Sequence, residues 1–397
     1  MKPTLLATAA TALVLAGSAA FADGHEIKVG VMLGYTGPIE SLTPGMADAA
    51  EMALAEINAA GGVLDGKTLV PVRADSTCID AGAATAAAER LVADGVAAIM
   101  GADCSGVTIA TLNNVALPNG IVMISPSATS PALTTIEDDG LFFRTAPSDA
   151  RQGVVLAEML RDKGVTDIAV TYTNNDYGKG LADSFESAFT AVGGSVLLSA
   201  AHEDGKADYS AEVGALSATG ASMLAVFGYA DQGGVGMIRA SVDSGAFDQF
   251  MLADGMFADS LIDAIGDDLE GTIGAVPWPE FDGADLFVEA AEAAGVDPDG
   301  SFRREGYDAA ALIALAMEAA GSHDPAMFKD KVLEVANAPG EPIMAGQLAR
   351  AIEVLRSGGQ IDYVGATNVE LIGPGEASGT YREYVVQDGE YSTVTFR

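Results

Sequence analysis

Two segments of small and hydroxyl-bearing residues carry groups that would bind a carboxylate. Residues 101–106 (GADCSG) place the Ser105 hydroxyl and several backbone N–H groups just ahead of a predicted helix. Residues 125–131 (SPSATSP) add the hydroxyls of Ser127 and Thr129. A helix N-terminus attracts anions because its first N–H groups have no partner within the helix. Helix capping alone explains either segment, since Ser and Thr favour that position, but the two segments together favour a carboxylate site.

Aromatic and acidic residues later in the chain would suit the cationic end of the same ligand. Tyr177, Tyr229 and Asp254 each follow a short apolar run that predicts a strand. A carboxylate pairs with an ammonium group, and tyrosine rings are suited to closing over a small ligand. Asp254 and Gly255 alternatively form a simple turn. We interpret Asp176 as a helix cap.

Each of these segments directly follows a predicted strand. The chain as a whole alternates predicted strands with helix-length stretches. The first series of predicted strands is 27–33, 69–73, 96–100, 121–125 and 142–145. The second series is 167–172, 195–200, 223–227 and 250–252. Such alternation predicts an α/β fold with parallel, doubly wound sheets, and two series predict two lobes. Ligands bind at the carboxyl ends of the strands in such sheets.

The N-terminus and the charge indicate where the chain works. Residues 1–22 combine a positive start, an apolar stretch too short to span a bilayer and an Ala-Phe-Ala end, which predicts a cleaved signal peptide. Ser18 stands where a lipoprotein signal needs Cys, so we expect a periplasmic protein without a lipid anchor. A formal net charge of −36 argues against nucleic acid or an anionic membrane as partner.

The number of cysteines and the lack of catalytic sequence motifs argue against an enzyme. An even pair in an exported chain, Cys78 and Cys104, is first interpreted as a disulfide. Two thiols are too few for a metal site, and a catalytic thiol would need a basic neighbour. The sequence has no Gly-x-Ser-x-Gly, no His-Glu-x-x-His and no Gly-x-Gly-x-x-Gly after a strand. We therefore expect no enzymatic activity, no cofactor and no metal.

The order of several motifs carries a family resemblance. These motifs are residues 27–38 (IKVGVMLGYTGP), 101–105 (GADCS), 123–129 (MISPSAT) and 175–180 (NDYGKG). Together they resemble the branched-chain amino-acid binding proteins of ABC transporters, the Leu/Ile/Val type, over nearly the whole mature chain. The resemblance implies the type I periplasmic-binding-protein fold, whose two lobes are joined by three crossovers. On this chain, lobe 1 would comprise residues 23–145 and 278–383, and lobe 2 residues 146–277 and 384–397.

The resemblance also implies roles for individual residues. The implied ligand contacts are Ser105, Ser127, Ala128, Thr129, Tyr177, Tyr229 and Asp254. Ser105 would bind the α-carboxylate of the ligand, and Asp254 would bind its α-ammonium group. The loop from Ser127 to Thr129 would contact both the carboxylate and the ammonium group through its backbone and hydroxyls. The implied disulfide between Cys78 and Cys104 would brace the Ser105 loop.

Two positions leave the side-chain preference open. Leu42 stands near the place of a family aromatic, and Arg151 lies either in the cleft or on the surface. We expect a monomer that captures an aliphatic amino acid by hinge closure and delivers it to an ABC permease. The alternatives are a protein of the same fold for amides, urea-like compounds or aromatic acids, and a periplasmic sensor.

Overall fold

Two seven-stranded sheets covered by helices organise residues 25–397, the part of the chain that the computed structural model describes. The predicted signal peptide, residues 1–22, lies outside the described residues. In the described range, none of the helices is both long enough and apolar enough to cross a bilayer.

The sixteen strands of the described residues match the predicted series over the first nine. They are β1 (Glu26–Leu33), β2 (Thr68–Asp75), β3 (Ala98–Gly101), β4 (Val122–Ser125), β5 (Phe142–Pro147), β6 (Asp167–Thr173), β7 (Ser195–His202), β8 (Leu224–Phe227), β9 (Phe250–Leu252), β10 (Ile273–Pro277), β11 (Glu341–Met344), β12 (Ile361–Gly365), β13 (Leu371–Ile372), β14 (Glu376–Ala377), β15 (Tyr381–Gln387) and β16 (Glu390–Phe396).

The helices lie mainly between these strands. They are α1 (Thr43–Ala59), α2 (Ala81–Ala93), α3 (Ser105–Thr111), α4 (Leu117–Asn119), α5 (Asp149–Asp162), α6 (Asp176–Ala191), α7 (Ser210–Ser217), α8 (Gly233–Ser244), α9 (Asp259–Ile265), α10 (Ala284–Ala294), α11 (Arg303–Ala320), α12 (Pro325–Ala336) and α13 (Leu348–Arg356). A π-helical turn, Leu112–Ala116, continues α3.

The sheets confirm the predicted α/β fold with two doubly wound lobes. The first sheet has the order β13-β14-β5-β4-β3-β1-β2, and the second the order β16-β15-β10-β9-β8-β6-β7. The β1 to β5 and β6 to β10 pairings are parallel, whereas β13 with β14, and β15 with β10 and β16, pair antiparallel. Strands β3, β4, β8 and β9 are buried throughout, because helices cover both faces of each sheet.

The chain passes between the sheets after β5, after β10 and before β15. β5 continues to Pro147 and β15 begins at Tyr381, against predicted boundaries at 145 and 383. Tyr381 pairs with Pro277 at the end of β10, a register that residue types do not reveal. The division of the chain into lobes with those boundaries stays a prediction.

Trp278 lies at the second crossover and is held between the lobes. Its backbone N–H donates to the carbonyl of Thr380 at 3.0 Å, which ties the second crossover to the third. The guanidinium carbon of Arg304, on α11, lies 4.3 Å from the centre of the Trp278 ring, and that of Arg382, on β15, lies 5.1 Å away. The indole therefore contacts a side chain from each lobe.

Candidate functional site

A small cavity lies between the lobes, at the carboxyl ends of strands from both sheets. Its first-lobe wall includes Ser105 and Ser127, and its second-lobe wall includes Tyr177, Tyr229 and Asp254. This position is the one expected for ligands of doubly wound sheets, since loops leave the buried core there. The structure thus brings together five of the seven predicted contact residues.

The lobes also touch each other beside the cavity. The Ser41 N–H donates to Asp231 Oδ2 at 2.8 Å, and the Asp231 N–H donates to the Pro38 carbonyl at 3.0 Å. On another side, the Ser130 hydroxyl donates to the Asp176 carbonyl at 2.9 Å. These bonds cross from one lobe to the other, so the structure has the closed arrangement of the cleft.

Ser105 is placed by the turn from β3 into α3. It is the first residue of α3, and Cys104, which precedes it, is joined to Cys78 with 5.1 Å between their Cα atoms. The predicted disulfide is therefore present and ties the turn after β3 to the one after β2. The Ser105 hydroxyl is buried and accepts a hydrogen bond from the Ser130 N–H at 3.1 Å. It still has a proton to donate to an anion.

Asp103 is a cavity residue that the sequence did not single out. Its carboxylate accepts from the Gly34 N–H at 2.6 Å and from the Ser76 hydroxyl at 2.8 Å. These contacts fasten the segments that follow β1, β2 and β3 to one another. Burial raises the pKa of Asp103, and its hydrogen bonds oppose that rise. In the sequence, the one indication of this role is that Asp103 is an acid within a turn of small residues.

The loop after β4 contributes one residue to the cavity wall and two behind it. Ser127 lines the cavity, and its hydroxyl donates to the Asp103 carbonyl at 3.1 Å. The Ala128 N–H donates to Ser125 Oγ at 2.9 Å, and its carbonyl accepts from Arg144 at 3.0 Å. Both backbone groups of Ala128 are thus engaged within the protein. Thr129 is buried behind the wall, and its hydroxyl has no hydrogen-bond partner among the described residues.

The second-lobe wall is a tyrosine pair with an acid beneath it. The rings of Tyr177 and Tyr229 stack with their centres 5.3 Å apart. The Tyr177 hydroxyl donates to Asp254 Oδ1 at 2.6 Å, which fixes the carboxylate at the end of β9. Burial raises the pKa of Asp254, and the Tyr177 hydroxyl lowers it. The cap of α6 is Asn175, whose side chain accepts from the Gly178 N–H at 3.0 Å, so the prediction of Asp176 as the cap was wrong by one residue.

The remaining wall is apolar. Leu42 lines the cavity together with Ile39, Met46 and Phe302. Phe302 was not predicted, because it lies far along the chain and precedes α11 with no recognisable motif. It has φ +60°, a left-handed backbone that is unusual for a bulky residue. Arg151 is exposed on α5 and does not line the cavity.

The cavity wall combines polar and apolar groups. Among the described residues, no histidine lines the cavity, and the Ser105 hydroxyl accepts from a backbone N–H. Within residues 25–397, His, Cys, Asp and Glu side chains form no group of three or more that is arranged to hold a metal. The cavity offers the Ser105 hydroxyl and the buried Asp103 on the first-lobe side, the buried Asp254 carboxylate on the second-lobe side, and an apolar wall.

Comparison with known sequences gives a consistent set of relatives. A family model described as "Periplasmic binding protein" matches residues 26–352. The Leu/Ile/Val-binding protein homolog 1 of Brucella melitensis is 33% identical over 332 residues, 82% of this chain and 86% of that protein. The leucine-, isoleucine-, valine-, threonine- and alanine-binding protein of Pseudomonas aeruginosa is 30% identical over 334 residues, with the same shares.

Solved structures share the fold at lower sequence identity. A leucine binding protein from Thermotoga maritima matches with a TM-score of 0.77 and 23% identity, over 93% of this chain and 98% of that one. A branched-chain amino acid transporter substrate binding protein of Streptococcus pneumoniae, in complex with isoleucine, matches with a TM-score of 0.74 and 21% identity. The match covers 93% of this chain and 99% of that one. A solute binding protein of R. palustris, in complex with 4-hydroxybenzoate, matches with a TM-score of 0.73 and 19% identity. The match covers 94% of this chain and 97% of that one.

Proposed function

The chain belongs to the periplasmic binding protein family, and we propose that it captures an amino acid with an aliphatic side chain and delivers it to an ABC permease. The observation that carries the proposal is the cavity itself. Ser105 offers its hydroxyl proton to a carboxylate, and Asp254 offers a buried carboxylate to an ammonium group. These two ends match the two charges of an α-amino acid.

The apolar wall supports an aliphatic side chain. Ile39, Leu42 and Met46 present branched and flexible hydrocarbon to the cavity. Burying such a side chain contributes about 1.5–3 kcal/mol to binding. The aliphatic specificities named for the Brucella and Pseudomonas relatives point the same way.

Hinge closure is the mechanism that this architecture supports. The ligand would bind the first-lobe hydroxyls in an open form, and Asp254 with its tyrosine pair would complete the site on closing. The bonds between Ser41 and Asp231, and between Ser130 and Asp176, would form at the same time. A ligand that contacts both lobes favours the closed form, because it binds that form more tightly.

Export and a membrane partner complete the proposal. Residues 1–22 would direct the chain to the periplasm, where the mature protein works as a monomer without a lipid anchor. The binding proteins among its relatives support a carrier role. The permease is the partner expected for a protein of this family.

An aromatic acid is the second candidate ligand, and the fold shared with the 4-hydroxybenzoate-bound protein of R. palustris favours it. The stacked Tyr177 and Tyr229 would suit an aromatic ring. The buried Asp254 carboxylate opposes it, since an aromatic acid brings no cation to pair with that group.

A ligand screen by thermal shift on the mature protein, residues 23–397, separates these candidates. We expect L-leucine, L-isoleucine or L-valine to raise the midpoint of unfolding, as binding to the folded state alone requires. We expect 4-hydroxybenzoate, leucinamide and urea to leave it unchanged. A shift with 4-hydroxybenzoate and none with amino acids would contradict the proposal.

A further inference from the structure

Hydrogen bonds between the lobes lie directly beside the apolar wall of the cavity. The Asp231 N–H donates to the Pro38 carbonyl at 3.0 Å, and Asp231 Oδ2 accepts from the Ser41 N–H at 2.8 Å. Pro38 directly precedes Ile39, and Ser41 directly precedes Leu42. Ile39 and Leu42 are both buried and line the cavity. One residue of the second lobe therefore holds the backbone next to each of these two wall residues.

Asp231 is itself held in place within the second lobe. Its Oδ1 accepts from the Ser260 hydroxyl at 2.7 Å, and Ser260 lies on α9 of the same lobe. The hydroxyls of Ser260 and Ser41 are 3.1 Å apart. Both carboxylate oxygens of Asp231 thus have a donor, one from each lobe. Because Ser260 already orients the carboxylate, closing the cleft requires little further ordering of the Asp231 side chain.

The turn that carries Ile39 and Leu42 has few other ties. It joins β1 to α1 without regular structure, and its start is fastened to the first lobe where the Thr36 hydroxyl donates to Asp75 Oδ2 at 2.7 Å. Within residues 25–397, the hydrogen bonds that residues 37–42 make beyond the turn and the start of α1 all join them to Asp231 and Ser260. The second lobe therefore supplies the longer-range hydrogen bonds of this part of the wall.

Phe302, a third apolar wall residue, follows the same pattern. The hydroxyl of Ser301, on the first lobe, donates to the carbonyl of Phe257, on the second lobe, at 3.0 Å, and Ser301 is buried. Phe302 comes directly after Ser301 and lines the cavity. Met46 differs, because it lies within α1 and is held by the helix. Closing the cleft and assembling the apolar wall are therefore structurally linked.

We propose that Asp231 is a positioning residue that sets the preference for larger aliphatic side chains. It does not line the cavity, so it acts through Ile39 and Leu42, which its hydrogen bonds hold over the ligand when the cleft closes. A longer side chain gains more from this wall than a short one, because it buries more apolar area. The inference rests on the proposed function, since it needs an aliphatic amino acid in the cavity, and it assigns the residue that sets side-chain preference.

Calorimetric titration of Asp231→Ala with L-leucine and L-alanine tests this role. Competition against L-leucine gives the alanine affinity even where alanine binds weakly. We expect the leucine affinity to fall roughly tenfold, as loss of hydrogen bonds to a charged group predicts. We expect the alanine affinity to fall less, so that the ratio of the two affinities drops about threefold or more. A residue that only stabilises the closed form would weaken both ligands by the same factor.

Three further variants control the experiment. Asp231→Asn keeps an acceptor for the Ser41 N–H and should retain most of the wild-type ratio. Asp259→Asn removes an exposed carboxylate next to Ser260 that makes no hydrogen bond or ion pair within the described residues, and it should bind like wild type. If Asp231→Ala does not fold, Ser260→Ala replaces it, because the loss of the hydroxyl that orients the carboxylate should lower the ratio by a smaller factor.

Several outcomes would overturn the inference. These are equal losses for both ligands in Asp231→Ala, a leucine affinity within twofold of wild type, an unchanged ratio in Ser260→Ala where that variant decides, and wild-type protein that binds leucine and alanine equally well. Failure of every amino acid to bind the wild-type protein would instead refute the proposed function.

Discussion

At the scale of single residues, the two acids on the cavity wall have different capacities for a ligand. Asp103 already accepts hydrogen bonds from Gly34 and Ser76, which belong to the framework of its lobe. Asp254 accepts one side-chain hydrogen bond of ordinary geometry, from Tyr177, and the Gln152 side chain lies close enough to lower its pKa. A carboxylate has about four lone-pair positions for donors. Asp254 therefore has room for an ammonium group, and Asp103 has little.

Replacing this acid should test the ammonium contact directly. In Asp254→Asn we expect the affinity for L-leucine to fall by roughly 100-fold or more, since losing one partner of a buried charge pair costs about 3–5 kcal/mol. Isothermal titration calorimetry measures the loss, with Asp248→Asn as the matched surface control. An affinity within threefold of wild type would show that the ammonium binds elsewhere.

The sequence revealed several residues of the site that follow strands, but it missed Asp103, which also follows a strand, and Phe302, which does not. Ser105, Ser127 and Asp254 were predicted because strand ends of a parallel sheet converge. Phe302 was missed for a physical reason, because nothing local to it indicates that its backbone turns it toward the cavity.

At the scale of secondary-structure elements, the turn between β3 and α3 depends on support from outside itself. The helix is short, from Ser105 to Thr111, and Cys104 provides no side-chain cap for it. The disulfide to Cys78 and the contacts of Asp103 hold this turn against the ends of β1 and β2. The position of Ser105 is therefore set by two neighbouring strand ends as well as by its own.

Removing the disulfide should loosen that turn. We expect the double variant Cys78→Ala, Cys104→Ala to lose about 3 kcal/mol of unfolding free energy, because the unfolded chain regains the entropy of the closed loop. We also expect weaker leucine binding, since Ser105 follows Cys104 directly. Urea unfolding and calorimetric titration measure the two effects. Unchanged values of both would contradict a bracing role.

The elements themselves were predictable where their patterns are strong. The buried strands β3, β4, β8 and β9 appear in the sequence as continuous apolar runs between turn residues. The short edge strands β13 and β14 were not predicted. β13 and β14 have two residues each, too few for any periodicity, and their pairing depends on the neighbouring β5.

At the scale of the whole molecule, charge is the dominant feature. The chain carries 56 acidic and 20 basic residues. Several of the basic groups are engaged in ion pairs, such as Arg350 with Glu341 and Lys179 with Asp183. The remaining acids repel one another, which keeps the protein soluble and destabilises its compact state.

Salt should therefore stabilise this protein. Raising NaCl from about 10 mM to about 0.5 M shortens the screening length from roughly 30 Å to a few ångströms and weakens the repulsion between surface acids. We expect the midpoint of thermal unfolding, followed by circular dichroism without ligand, to rise steadily over this range. A midpoint that falls with salt would mean that attractive ion pairs outweigh the net repulsion.

The stacking of Trp278 between Arg304 and Arg382 gives the molecule a built-in optical probe. It is the single tryptophan of the sequence, and it lies on a crossover with one neighbour from each lobe. Indole emission is sensitive to nearby charge and to water, both of which change when those neighbours separate. The intrinsic fluorescence of the unlabelled protein should therefore report opening and closing of the cleft in real time, and stopped-flow mixing would turn that signal into rates.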